Sequence, residues 1–174
     1  HNDFASYKYQ PSVQALHMLV NECEGGESVI VDGWQLVDDL RNDEPKYFDI
    51  LCNFKIPFRE FDKNNETYAE APLIQCDSEG KVESFRFSNQ LMQMIDPNKK
   101  DLKEFYKAYH EVSKRIYDDK YKSIFRLNSG EVLIVASLRI LHARESFIPS
   151  GKRHLQDAYF VYDNAANNIV LLSN

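Results

Sequence analysis

Cysteine is scarce in this 174-residue chain: Cys23, Cys52 and Cys76 stand far apart, are odd in number and form no CxxC pair. That spacing excludes the common zinc and dithiol motifs and points to a reduced, intracellular chain. Basic charge is also in short supply. Twenty-one Lys and Arg against twenty-seven Asp and Glu leave a net charge of −6. No basic face is available to displace phosphate counterions, so nucleic acid is not an expected partner. The densest basic run, "NKKDLK" at 98–103, reads as a solvated helix start. Long apolar runs are missing, which excludes a helical membrane span. Repeats, linkers and low-complexity tracts are missing as well, and the expectation is a single domain over residues 1–174. No initiating methionine precedes His1, so any address is expected to lie outside this stretch. The expected location is cytoplasmic, or mitochondrial if a transit peptide came before it.

What is present is a core-forming composition, 43% hydrophobic and 28% charged, in a chain long enough to bury a core without staples. Eleven Phe and ten Tyr suit aromatic-rich strands. "PSVQALHMLV" at 11–20 reads as a buried strand, "ECEGGES" as a Gly-rich turn and "SVIV" as a short β-branched strand. "DGWQLVDDLRND" reads as a helix with Asp32 and Gln35 spaced as a capping box. "EPKYFDILCNF" is a second helix, with Pro45 in its first turn. Strands are expected from about Phe54 to Phe61, in "APLIQC" and in "KVESFRFS". Leu102, Phe105, Tyr106, Tyr109, Val112 and Ile116 recur at helical spacing over 101–117, with Asp101 and Glu104 as candidate caps. His110 falls on this helix and reads as structural. The remainder reads as strands: "KSIFRL", "EVLIVAS", "LRILHAR", "RHLQDAYFVYD" and "NNIVLL". Many short strands with a few helices predict a jelly roll or related sandwich, helices packed outside one sheet.

The opening "HND" carries a chemical suggestion. Side chains two apart on a strand share a face, so His1 and Asp3 can present an imidazole and a carboxylate to one point. A second histidine from a distant strand completes two histidines and one carboxylate, the facial triad of non-haem Fe(II) oxygenases. His142, in the apolar "LRILHAR", is the candidate. On these residues alone, a hydrogen-bonded core histidine is the commoner reading.

Several motifs in order add to this: "HND" at 1–3, "LHM" at 16–18, "GGES" at 25–28, "VDGW" at 31–34, "SLRILHAR" at 137–144 and "RHLQDAY" at 153–159. Together they resemble the Fe(II)/2-oxoglutarate dioxygenases related to taurine dioxygenase. Within that group the chain is most similar to the gamma-butyrobetaine and trimethyllysine dioxygenases, over essentially its whole length. The resemblance implies a mainly β, double-stranded β-helix (jelly-roll) fold with flanking helices, here an N-terminally truncated fragment that begins at the metal motif. It implies that His1, Asp3 and His142 hold iron. Arg153 and Ser28 would bind the far carboxylate of the cosubstrate 2-oxoglutarate, for which an arginine fork is suited; Arg144 is the competing arginine. Ascorbate is an optional reductant. Tyr159 matches a tyrosine that helps enclose a trimethylammonium group, a cation without hydrogen-bond donors that aromatic faces accommodate; packing in the core is its other reading. Ser88 falls where the butyrobetaine enzyme has an asparagine on the substrate carboxylate.

The expected activity is therefore hydroxylation of a small quaternary-amine acid, foremost gamma-butyrobetaine to carnitine. The alternatives are trimethyllysine or another small acid, and a jelly-roll binding protein without catalysis. The fragment alone is expected to hold iron weakly. A small molecule is the expected partner, and a homodimer remains open. Four departures from the family pattern bear on these expectations: Ser137 with Ala136 for Asp-Asn, Ala143 and Asp157 for Gly, and Ser88 for Asn.

Overall fold

The computed structural model of the chain describes residues 1–163. β1 (Val13–Asn21), β2 (Glu24–Gly25) and β3 (Ser28–Asp32) lead into α1 (Gly33–Asp43) and α2 (Pro45–Asn53). Two hairpins follow, β4 (Ile56–Phe61) with β5 (Glu66–Ala71) and β6 (Ile74–Cys76) with β7 (Val82–Phe85), and then α3 (Leu102–Ile116). After α3 come β8 (Lys122–Phe125), β9 (Val132–Ala136), β10 (Ile140–Arg144), β11 (Phe147–Ile148) and β12 (Arg153–Phe160). Two three-stranded sheets organise the molecule, in the orders β12-β1-β9 and β10-β3-β8, with a short β11-β2 pair beside them. All of these ladders are antiparallel.

Alternation along the strands decides which side chains meet. On β1, Gln14, Leu16 and Met18 are buried on one face. Their partners on β12 are Tyr159, Asp157 and Leu155. In the second sheet, Leu141 pairs with Val31, and both join the helices' residues Leu36, Leu40, Phe54, Phe105 and Val112 in the core. The intervening pairs, His142 with Ile30 and Arg144 with Ser28, face the opposite way. The helices therefore seal one face of this sheet and leave the other to the functional residues, as expected from the pattern.

Local chemistry explains the helices, with corrections. Asp32 caps α1 by accepting from the Gln35 N–H at 3.2 Å. The other half of the capping box does not form: the Asp32 N–H donates to the Tyr121 carbonyl at 3.3 Å, and the Gln35 amide donates to Asp39 at 3.0 Å. On α3, Phe105, Ala108 and Val112 are fully buried, and Phe105 stacks on Phe54 with ring centroids 4.4 Å apart. Tyr106 was expected on that face but is exposed, since one residue along a helix turns it out of the stripe. Asp101 adopts a left-handed conformation, φ 64°, and caps nothing with its side chain; Glu104 pairs with Lys107 instead. His110 is exposed.

Three further differences concern strands. β5 and β11 carry no clear apolar alternation and went unread in the sequence; each forms only because a partner strand supplies its hydrogen bonds. The strand expected over "KVESFRFS" ends at Phe85, because the Phe87 N–H and carbonyl are taken by Asn2. "HND" is not on a strand: no ladder includes residues 1–3, and Phe4 turns the chain through φ 56°. The expected strand "NNIVLL" lies outside the described residues.

Candidate metal centre

His1 reaches its place through the main chain. The His142 N–H donates to the His1 carbonyl at 2.8 Å, which sets the two histidines side by side. Their rings meet edge-on with centroids 4.6 Å apart. Asn2 is almost wholly buried and anchors the segment from the other side. Its amide donates to the carbonyls of Phe85 and Ser137 and its oxygen accepts from the Phe87 N–H. The turn after Asp3 then directs its carboxylate back toward the histidines. Asp3 Oδ1 lies 3.4 Å from His1 Nε2, and Oδ2 lies 3.6 Å from His142 Nε2. One ligating atom from each of the three residues falls within 4.8 Å of the others, the one such cluster among the described residues.

Protonation states suit a cation. Burial lowers the pKa of His142, only partly offset by Asp3 and reinforced by His1, which keeps the imidazole neutral with a lone pair to offer. Its Nδ1 is buried without a hydrogen-bond partner among the described residues. Burial alone pushes the Asp3 carboxyl up. Hydrogen bonds from His1 and Tyr159, helped by the adjacent imidazoles, outweigh it and bring the pKa down to about 2. A neutral imidazole and an ionised carboxylate are the forms a divalent metal requires, so the donor set fits an ion such as Fe(II).

A second cluster lies at the far end of β12. Arg153 is six residues from Tyr159, about 20 Å along an extended strand. Its guanidinium lies over the Phe147 ring at 5.5 Å, and Arg144 lies over the same ring at 4.5 Å. Ser28 is directly across the ladder from Arg144. Arg144 donates to the Glu145 carbonyl, whereas Arg153 Nε is buried without a partner among the described residues. Burial and the adjacent Arg144 charge both lower the pKa of Arg153. Gly26 beside it adopts the left-handed φ of +74°, and a Cβ there would crowd Phe147 Cβ at 3.1 Å.

Ser88 and Tyr159 share a small cavity of about 190 Å³ with His1, Asp3 and Gln90. On its other side Ser88 and His1 border a larger cavity of about 420 Å³ that extends to Tyr117, Lys122 and Arg144. The Tyr159 hydroxyl lies 2.8 Å from Asp3 Oδ2 and 2.6 Å from Asp157 Oδ2. Burial, Asp157 and Asp3 all raise its pKa, so the phenol stays protonated. Asp157, one of the departures from the family pattern, thus points its carboxylate toward the histidine–aspartate cluster. The Tyr159 ring meets Phe4 edge-on, centroids 4.6 Å apart.

Two participants were missed in the sequence. Asn2 gave no signal, because its partners are distant backbone atoms. Gln14 did give one: it is the polar member of an otherwise apolar inward row with Leu16 and Met18.

Residues 1–159 match the family model described as "Taurine catabolism dioxygenase TauD, TfdA family". Over 173 residues the chain is 32% identical to the gamma-butyrobetaine dioxygenase of Pseudomonas sp. (strain AK-1), covering 99% of this chain and 45% of that one. It is 28% identical over 178 residues to the gamma-butyrobetaine dioxygenase of Homo sapiens, with 99% and 46% covered. The chain thus spans about half the length of the curated relatives it matches. Among solved structures, the crystal structure of AAD-2 in complex with Mn(II) and N-oxalylglycine superposes with a TM-score of 0.72 at 12% identity, over 92% of this chain and 67% of that one. At that identity the likeness concerns the fold, and it identifies the two facing sheets as a jelly roll.

Proposed function

This chain belongs to the TauD/TfdA dioxygenase family, and from that premise we propose that it forms the metal-holding part of an Fe(II)- and 2-oxoglutarate-dependent dioxygenase acting on a small quaternary-amine acid. One observation carries the reading: His1, Asp3 and His142, separated by almost the whole chain, bring their donor atoms within 4.8 Å of one another. Two imidazoles and one carboxylate leave positions open on an octahedral ion. A bound Fe(II) would supply oxygen activation coupled to decarboxylation of 2-oxoglutarate to succinate and carbon dioxide.

The protein's own share is to bind and orient. His1, Asp3 and His142 hold the ion. Arg153, whose buried Nε has no partner among the described residues, receives the far carboxylate of the cosubstrate, with Ser28 across the ladder from the neighbouring Arg144. Ser88 and Tyr159 border the small cavity beside His1 and Asp3, where the substrate carbon would be positioned. The similarity to gamma-butyrobetaine dioxygenases favours gamma-butyrobetaine as substrate and carnitine as product.

The test is iron-dependent release of carbon dioxide from 2-oxoglutarate by a chain extended to the length of its relatives, assayed with gamma-butyrobetaine, trimethyllysine and related trimethylammonium compounds. His142→Ala is expected to abolish turnover and metal binding. Unchanged turnover would remove His142 from the ligand set. Failure to turn over any compound, with metal and 2-oxoglutarate still bound, would leave a binding protein of the same fold.

A further inference from the structure

We propose that Gln14 is a positioning residue for the metal centre: its side-chain amide locks one oxygen of Asp3 and so presents the other to the ion. The inference rests on the reading of His1, Asp3 and His142 as ligands. Unlike His142, which a sheet ladder holds, Asp3 lies outside any strand and is followed by the left-handed Phe4. Nothing in regular structure sets the orientation of its carboxylate. Side chains do this instead. Gln10 holds the Asp3 main-chain carbonyl at 2.9 Å, and Gln14 Nε2 donates to Oδ2 at 2.7 Å.

A second donor to Oδ2 is the Tyr159 hydroxyl, but that arm is contested. A phenol has one proton, and Asp157 Oδ2 at 2.6 Å competes for it with Asp3 Oδ2 at 2.8 Å. The Gln14 amide has only protons to offer there, and the charged Asp3 Oδ2 at 2.7 Å is its nearer acceptor; the Tyr159 oxygen lies 3.1 Å from the same nitrogen. Gln14 is 1% exposed, so water does not compete for this bond. Its backbone is held in register by Tyr159 on one side and Val135 on the other. With Oδ2 occupied, Oδ1, the oxygen beside His1 Nε2, is left as the ligand atom. A polar residue in the inward row of a strand, where Leu16 and Met18 are its neighbours, costs stability unless it is hydrogen-bonded; here the bond is made to the site.

The test uses Co(II) alone as probe on the chain extended to the length of its relatives, read by its visible absorption. Gln14→Met keeps length and packing but removes the donors. It is expected to weaken Co(II) binding roughly ten- to hundred-fold, the range for loss of a partner that orients a ligand. The Co(II) spectrum should change with it, because a freed carboxylate binds the ion differently, while the melting temperature of the metal-free protein stays near that of the parent. Should Gln14→Met fail to fold, Gln14→Asn retains polarity while withdrawing the amide from Oδ2, and the same losses are expected. Parent-like affinity and spectrum in whichever folded variant is measured would overturn the role of Gln14 and leave the ligand assignment standing. No Co(II) binding by the parent chain would overturn both.

Discussion

Arg153 holds a buried Nε with no partner among the described residues, close to the like charge of Arg144. Leaving such a group unpaired costs about 1–3 kcal/mol, a cost that an incoming carboxylate relieves. A lysine carries the same charge without the planar fork. Arg153→Lys is therefore expected to weaken 2-oxoglutarate binding roughly ten- to hundred-fold while Co(II) affinity stays unchanged; parallel titrations of the two ligands check this. Equal loss of both would mean that Arg153 supports the fold rather than the cosubstrate. Motif context favoured Arg153 over Arg144, and their surroundings differ: Arg144 donates to a carbonyl at the surface, whereas Arg153 Nε is buried with no partner among the described residues. The Tyr159 hydroxyl lies beside Asp3 and Asp157, neighbours that its motif position did not announce.

The joint between β3 and α1 shows what short-range chemistry can specify. Asp32 ends the strand, caps the helix through the Gln35 N–H and pairs with Arg139. The Arg139 hydrogen bond outweighs the burial penalty and lowers the Asp32 pKa below its ordinary value of 3.8, helped by the cap itself. The sign follows from linkage: a depressed folded-state pKa contributes stability above the ordinary carboxylate range, and that contribution is lost as pH falls through the folded value. Asp32→Ala is thus expected to lower the urea midpoint near neutral pH, with the gap to the parent closing as pH falls from about 5 to about 2. A gap constant over that range would assign the loss to helix propensity. The helices and central strands were legible because their signals, the cap, Pro45 and the apolar stripe of α3, sit within one or two turns. β5, β11 and the early end of β7 were not, because their hydrogen bonds go to distant partners.

The proposed metal centre ties residues at the two ends of the described fold: His1 and Asp3 at one, His142 beside the last strands. An ion that binds only the folded chain stabilises it by mass action, by about 2.7 kcal/mol at a hundred times its dissociation constant. Mn(II) at that excess is expected to raise the melting temperature by several degrees, chelator is expected to reverse the rise, and His142→Ala should show none. Thermal unfolding followed by circular dichroism measures this. A rise preserved in His142→Ala would place the ion elsewhere. The net charge of −6 adds a favourable field for cations at the scale of the whole molecule.

Residue identities alone determined which donors this protein has: one carboxylate and two histidines, an arginine two residues after Gly151, and an apolar alternation suited to sheets. They did so because ligand chemistry and burial are properties of side chains. Orientation was decided only by the tertiary structure. Asp3 reaches the histidines without a strand to aim it, through Asn2 anchored to distant carbonyls, a left-handed turn at Phe4 and the buried amide of Gln14. Each of those contacts joins atoms far apart in the chain, and no local pattern encodes such a meeting.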